Sequence, residues 1–210
     1  MKIEELPSKI FVSGTDTGIG KTVVSAMMTL GLSATYWKPI QSGLEEETDT
    51  EFVKRVTGLS DEHFMSERFR LQEPLSPHAS AEIDGVSISL DDFQLPEAGT
   101  NNLVVEGAGG LLVPLNDNDM IIDLIERFQL PVLLVSRSEL GTLNHTFLSL
   151  EALRSREIPV LGVVMNGPKN ESNKKAIEKY GNVEVIGEIN TIETLNAKTL
   201  MSIFNTIFNT

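Results

Sequence analysis

The chain has 210 residues, 40% of them hydrophobic, enough to bury the core of one domain of ordinary size. Its 17 basic and 30 acidic residues give a formal net charge of −13, which opposes general attraction to nucleic acid or to an anionic membrane surface. With no cysteine, the sequence excludes a disulfide framework, a thiolate nucleophile and a cysteine-based zinc site. The opening MKIEELPSKIF lacks the basic and apolar regions of a signal peptide, and no apolar run reaches the roughly 20 residues of a membrane span, so a cytoplasmic protein without membrane contact is expected.

The first predicted strand, KIFVSG (9–14), runs into TDTGIG and then into a helical pattern at about 20–31. Strand, glycine-rich loop and helix in that order make a phosphate-binding loop, because glycine lets backbone N–H groups turn inward around phosphate oxygens and the helix start adds partial positive charge. Lys21 would then reach the β- and γ-phosphates, and the Thr22 hydroxyl would ligate Mg²⁺. The spacing departs from the usual pattern: Gly14 and Gly20 enclose five residues, one more than the usual four.

A second strand, ATYWKP (34–39), presents Lys38 at its end and Ser42 just beyond, before a helix at about 48–57. Lys38 taken alone could equally be a surface lysine. The segment from about 60 to 100 is weaker in pattern, carries Pro74, Pro77 and Pro96, and reads as an excursion over the sheet's edge of the kind that often covers a substrate. NNLVVEG (101–107) is the third strand and ends in Glu106 and a glycine-rich run through Gly110. A carboxylate there suits Mg²⁺, directly or through water, although an edge-of-sheet ion pair is the plainer alternative.

A helix at about 119–129 is followed by strand PVLLVSR (131–137), a helix at 142–156, strand IPVLGVVMN (158–166), a helix at 169–180, strand VEVIGEI (183–189) and a last helix at 191–208. Leu143, Phe147 and Leu150 recur at helical spacing, so the 142–156 segment reads as a core helix with its N-cap near Thr142. Strands apolar on both faces, alternating with helices, predict a doubly wound, mainly parallel α/β sheet covered on both sides, with residues 1–210 forming one P-loop NTPase-like domain.

GTDTGIGKT, KPIQSG, PLSPH, VEGAGGLLVPL, LPVLLV, LGTLNH and GVVMN occur in an order and spacing that resemble the dethiobiotin synthetases over almost the whole chain. That resemblance implies an ATP- and Mg²⁺-dependent cyclo-ligase. It would carboxylate 7,8-diaminopelargonic acid with CO₂, phosphorylate the carbamate with ATP, and close the ureido ring with loss of phosphate. It further implies nucleotide contacts at Gly18, Ile19, Gly20, Lys21, Thr22, Glu106, Gly109 and Asn166, and a Mg²⁺ set of Thr22, Asp49 and Glu106. Thr17, Lys38 and Ser42 match positions that handle the carbamate or diamine, with Lys21 and Lys38 offsetting the repulsion between two anions. Gly141, Thr142, Leu143 and Asn144 would receive the substrate's tail carboxylate across the interface of a homodimer. Asp49 lies in an acidic run, whose plainer meaning is a solvated face. His63, His78 and His145 read as structural.

Two departures and two rivals accompany the resemblance. The first helix is about one turn shorter than in the family, and Asn190 stands where a proline is common, which leaves the base preference open. A switch ATPase of the partitioning or septum-positioning type is one rival, but Asp16 occupies the position of its signature lysine. Membrane-bound members of that class end in a basic amphipathic helix. Here Leu200, Ile203, Phe204, Ile207 and Phe208 form a stripe with only Lys198 basic, so burial against the body or a partner is expected. The other rival, a non-catalytic nucleotide-sensing module, has no need of Lys21, Lys38 and Glu106 together.

Overall fold

Buried apolar residues on both faces of a strand require cover on both sides, and the computed structural model, which describes residues 2–97 and 102–208, has that arrangement. Asn101, expected to begin the third strand, and the last residues of the 60–100 excursion lie outside the described residues. Among the described residues the strands are β1 (Lys9–Gly14), β2 (Thr35–Trp37), β3 (Ile40–Ser42), β4 (Phe64–Met65), β5 (Phe69–Leu71), β6 (Leu103–Gly110), β7 (Val132–Arg137), β8 (Val160–Asn166) and β9 (Val185–Ile189). The helices are α1 (Lys21–Gly31), α2 (Asp49–Thr57), α3 (Pro77–Asp84), α4 (Ile121–Phe128), α5 (Thr142–Ser155), α6 (Glu171–Gly181) and α7 (Ala197–Phe208).

Seven strands form one parallel sheet in the order β4-β2-β6-β1-β7-β8-β9. Side chains alternate between its faces, so neighbours in sequence enter opposite cores. Phe11, Val105 and Leu134 pack with α4, α5 and α6 through Ile125, Leu150 and Ile177. Val12, Val104 and Leu133 pack with α1, α2 and α7 through Met27, Val53 and Phe204. The doubly wound architecture is therefore as the alternation of apolar runs required. Because β1 lies between β6 and β7, the chain leaves it in both directions, and the carboxyl ends of the central strands open into the crevice where such sheets bind ligands.

The C-terminal stripe is core. Leu200, Phe204 and Phe208 are buried, each stabilising the fold by about 1.5–3 kcal/mol. Phe204 covers the end of α1 so closely that a Cβ on Gly31 would lie 2.3 Å from its ring.

Several boundaries differ from the sequence expectation for identifiable reasons. The 34–39 strand is interrupted at Lys38-Pro39, since proline has no N–H for a ladder. The Pro39 carbonyl instead accepts from Arg68 N at 2.9 Å and Phe69 N at 3.0 Å, and the chain resumes as β3, paired with β5 in a separate two-stranded parallel sheet. The 60–100 excursion is more regular than expected, supplying β4 at the sheet edge, β5 and α3. The last helix begins at Ala197 rather than 191. Thr142 does not cap α5: Gly141 does, at φ +95°, and the Thr142 hydroxyl donates to the Arg137 carbonyl at 2.6 Å.

Candidate functional site

The loop between β1 and α1 is tied down by two residues. Asn166, at the end of β8, donates through Nδ2 to the Ile19 carbonyl at 2.9 Å. Gly20 sits below it at φ +92°, and a Cβ there would lie 2.1 Å from Asn166 Nδ2, so the position requires glycine on both counts. Asp16 is the second tie. Its carboxylate accepts from Thr17 N at 2.7 Å and from Arg137 Nη2 at 2.5 Å, while its carbonyl accepts from Lys21 Nζ at 2.9 Å. Where a partitioning ATPase would carry its signature lysine, this chain thus carries the acidic member of an ion pair.

Lys21, at the first position of α1, is buried. Burial, reinforced by the nearby charge of Lys38, lowers its pKa to about 8. Thr22, the next residue, donates to Asp49 Oδ1 at 3.0 Å and Glu106 Oε1 at 2.9 Å. Lys38 lies against the same carboxylates, 2.5 Å from Asp49 Oδ2 and 3.3 Å from Glu106 Oε1, and also donates to the Gly107 carbonyl at 3.3 Å. Burial would depress the Lys38 pKa, but Glu106 and Asp49 outweigh it and raise the value. For Asp49 burial works upward, and Lys38 overrides it to hold the carboxyl below its usual range. Lys38 is therefore no surface lysine, and Asp49, half-buried, is an ion-paired acid rather than part of a free solvated face. Asp49 is aimed by the start of α2, where Thr48 and Glu51 form a capping box and Gln41 Oε1 accepts the Asp49 N–H at 3.1 Å.

These groups face one cavity of about 430 Å³, lined also by Thr17, Gly18, Gly20, Ser42 and Gly109. Ser42 Oγ is buried there with no hydrogen-bond partner. Pro74, Leu75, Ser76 and Pro77 close another side, so the excursion does reach over the cavity. Asn166 and Ile19 line a second cavity of about 300 Å³ with Arg137, Glu139 and Gly167, and Thr17 and Gly18 border both. Gly141, Thr142, Leu143 and Asn144 line neither cavity; Thr142 is buried, and Asn144 is exposed at the surface. His63 is structural as expected, with Nδ1 2.8 Å from the Ala34 carbonyl, and His78 lies 3.0 Å from Ser76 Oγ.

Thr22, Asp49 and Glu106 form an all-oxygen set suited to a hard cation. Among the described residues no group of three or more His, Cys, Asp or Glu side chains could hold a metal. Two carboxylates and a hydroxyl fit Mg²⁺, which keeps waters and takes phosphate oxygens for its remaining positions.

Sequence reasoning passed over Tyr36, whose hydroxyl donates to Glu106 Oε2 at 3.0 Å, and over Arg137 and Gln41. A tyrosine hydroxyl at the centre of a buried strand, β2, and an arginine closing β7 were the available signals.

A parallel sheet with a phosphate loop, a helix start and converging carboxylates at its carboxyl edge defines a P-loop nucleotide-binding protein, and residues 8–199 match the family model described as an AAA domain. Solved structures with the same fold include a ParA family ATPase from Chlorobium tepidum, with a TM-score of 0.57, 12% identity and coverage of 93% of this chain and 98% of that one. The MinC:MinD cell division complex of Aquifex aeolicus also gives 0.57 at 12% identity, covering 97% of each chain. Sequence relatives decide between the classes sharing that fold. The chain is 47% identical over 200 residues to the ATP-dependent dethiobiotin synthetase BioD of Bradyrhizobium diazoefficiens, covering 95% of both chains. It is 50% identical over 193 residues to that of Brucella ovis, covering 92% of this chain and 91% of the relative. The chain belongs to the ATP-dependent dethiobiotin synthetases, which are ligases.

Proposed function

We propose that the 430 Å³ cavity is where a carbamate of 7,8-diaminopelargonic acid meets the γ-phosphate of ATP. The carrying observation is that two ammonium groups, Lys21 and Lys38, and the unpartnered Ser42 hydroxyl converge there beside the phosphate loop. A second buried lysine beside the phosphate loop suits an anionic acceptor, because two anions must be brought together and their charge offset.

One amine of the substrate adds to CO₂, losing a proton and leaving a carbamate that Thr17, Ser42 and Lys38 hold by hydrogen bonds and charge. Its oxygen takes the γ-phosphoryl group, forming a carbamic–phosphoric anhydride and ADP, while Lys21 follows the migrating charge. The second amine then attacks the carbonyl carbon, the C–O bond to phosphate breaks, and the ureido ring closes. Gly18, Ile19, Gly20 and Gly109 line the phosphates, and Asn166 meets the base. Thr22, Asp49 and Glu106 would hold Mg²⁺, which supplies Lewis-acid neutralisation of phosphate charge. The protein's contribution is positioning and electrostatics, with no side-chain nucleophile.

The tail carboxylate goes to Gly141–Asn144 of a second copy in a homodimer, a reading supported by the absence of those residues from the linings of both cavities of their own chain. A cytoplasmic setting, where ATP is available, completes the proposal. ADP release and product mass, followed with and without the diamine and bicarbonate, test it. ADP formation should depend on both, with dethiobiotin appearing in equal amount, and ADP released at one rate regardless of the diamine would overturn it.

A further inference from the structure

Tyr36 lies in the middle of β2 and is fully buried, in the core formed by α1, α2 and α7. Phenylalanine would fill the same space without a polar atom to satisfy, so the hydroxyl needs a reason. Its partner is Glu106, itself 1% exposed in the middle of β6, the neighbouring strand in the sheet. The two oxygens of Glu106 have separate partners: Oε2 accepts from Tyr36 at 3.0 Å, while Oε1 takes Thr22 at 2.9 Å and Lys38 at 3.3 Å. We propose that Tyr36 is a positioning residue, whose buried hydroxyl pins Oε2 of Glu106 so that Oε1 alone is presented to Thr22 and the metal.

Without that bond the carboxylate could turn about its terminal torsion, which is broad and nearly two-fold. Both of its oxygens would then compete for Lys38 and Thr22. Outer partners that fix a ligating carboxylate commonly change metal affinity by about 10-fold when removed.

This inference rests on the metal reading of Thr22, Asp49 and Glu106, and the experiment separates the two. Mn²⁺ binding to the full chain with ADP is measured by electron paramagnetic resonance for wild type, Tyr36→Phe and Glu106→Gln. Glu106→Gln should lose most Mn²⁺ affinity; if it does not, the metal reading fails. Given that loss, Tyr36→Phe should weaken Mn²⁺ by about 10-fold and raise the Mg²⁺ concentration for half-maximal turnover in step, with the KM for ATP at saturating Mg²⁺ changing less than about twofold. Unchanged Mn²⁺ affinity in Tyr36→Phe, at any melting temperature, overturns the positioning role. A second measurement needs no substitution at Tyr36: the chain has two tyrosines, so 3-fluorotyrosine labelling gives two fluorine resonances. The buried one should shift when Mg²⁺ is added to the ADP complex, and a resonance that stays fixed while metal binds counts against the proposal.

Discussion

Lys38 Nζ lies 2.5 Å from Asp49 Oδ2 and 3.3 Å from Glu106 Oε1, so a buried lysine between β2 and β3, the half-buried carboxylate that starts α2 and the buried carboxylate of β6 form one charge cluster. A divalent cation held by Asp49 and Glu106 would draw on the same negative charge. Lys38 and metal therefore oppose each other at the carboxylates even though both serve the transferring phosphoryl group. Lys38→Met should accordingly raise the affinity of the nucleotide-free protein for Mn²⁺ severalfold while lowering turnover by roughly 100-fold or more. Titration of Mn²⁺ by electron paramagnetic resonance reads the first effect. Weaker metal binding in this variant would mean that Lys38 supports the metal site and does not compete with it.

The lowered pKa of Lys21, about 8, carries a second prediction. Bound phosphates favour the charged ammonium, so nucleotide raises that pKa above its value in the free protein. Near pH 7 the lysine is protonated in both states and binding exchanges little with solvent. Near pH 9 the free protein has lost the proton and the complex holds it, so binding takes up close to one proton and affinity falls by about tenfold per pH unit. Calorimetry of ADP binding in buffers of different ionisation enthalpy measures the uptake. No uptake at pH 9, or the same uptake in Lys21→Met, would contradict it.

Much of the site was legible because the chemistry is local in sequence. GTDTGIGKT places Lys21 and Thr22 by backbone spacing alone, and the end of a predicted strand identifies Lys38; the same reasoning picked out Glu106, although β6 runs on to Gly110 and Glu106 lies in its middle. The pairings among them were not legible, since Thr22 meets Glu106 across 84 positions and Arg137 meets Asp16 across 121. Single-sequence periodicity carries no information at that range. The split of the second strand at Pro39 and the short strands β4 and β5 went unread for a different reason: runs of two or three residues have too few alternations to show a period. Gly141 as the α5 cap was hidden because Thr142 has the better capping side chain, which turns instead to the Arg137 carbonyl.

Ser42 separates binding from folding. Its hydroxyl is buried without a partner, and an unsatisfied polar group of that kind costs about 1–3 kcal/mol. Ser42→Ala should therefore leave the melting temperature unchanged or slightly higher while raising the KM for the diamine by roughly 10-fold, as expected when a hydrogen bond to a charged group is lost. Thermal unfolding and steady-state kinetics on one preparation test both halves. Lost stability with an unchanged KM would assign the hydroxyl a structural partner.

The shared active site gives the last prediction. Gly141–Asn144 begin α5, line neither cavity of their own chain, and end in the exposed Asn144 beyond the buried Thr142. If they take the tail carboxylate of substrate bound to a neighbour, the helix start contributes on the order of 0.3–1 kcal/mol, and more when the partner shields it. Asn144→Leu should then raise the KM for the diamine with the affinity for ATP nearly unchanged, because only the diamine's tail reaches the chain that carries Asn144 at that site. Lys21→Ala should abolish turnover by itself, since it removes the cation that follows the γ-phosphate. When the two inactive or impaired variants are mixed and their subunits exchange, each heterodimer contains one composite site with an intact Lys21 facing an intact Asn144. Activity at low diamine should recover toward half of the wild-type rate per heterodimer. A chain fully active as a monomer by light scattering at assay concentration, or no recovery after exchange proven by mass, would leave the tail carboxylate without its partner-borne site.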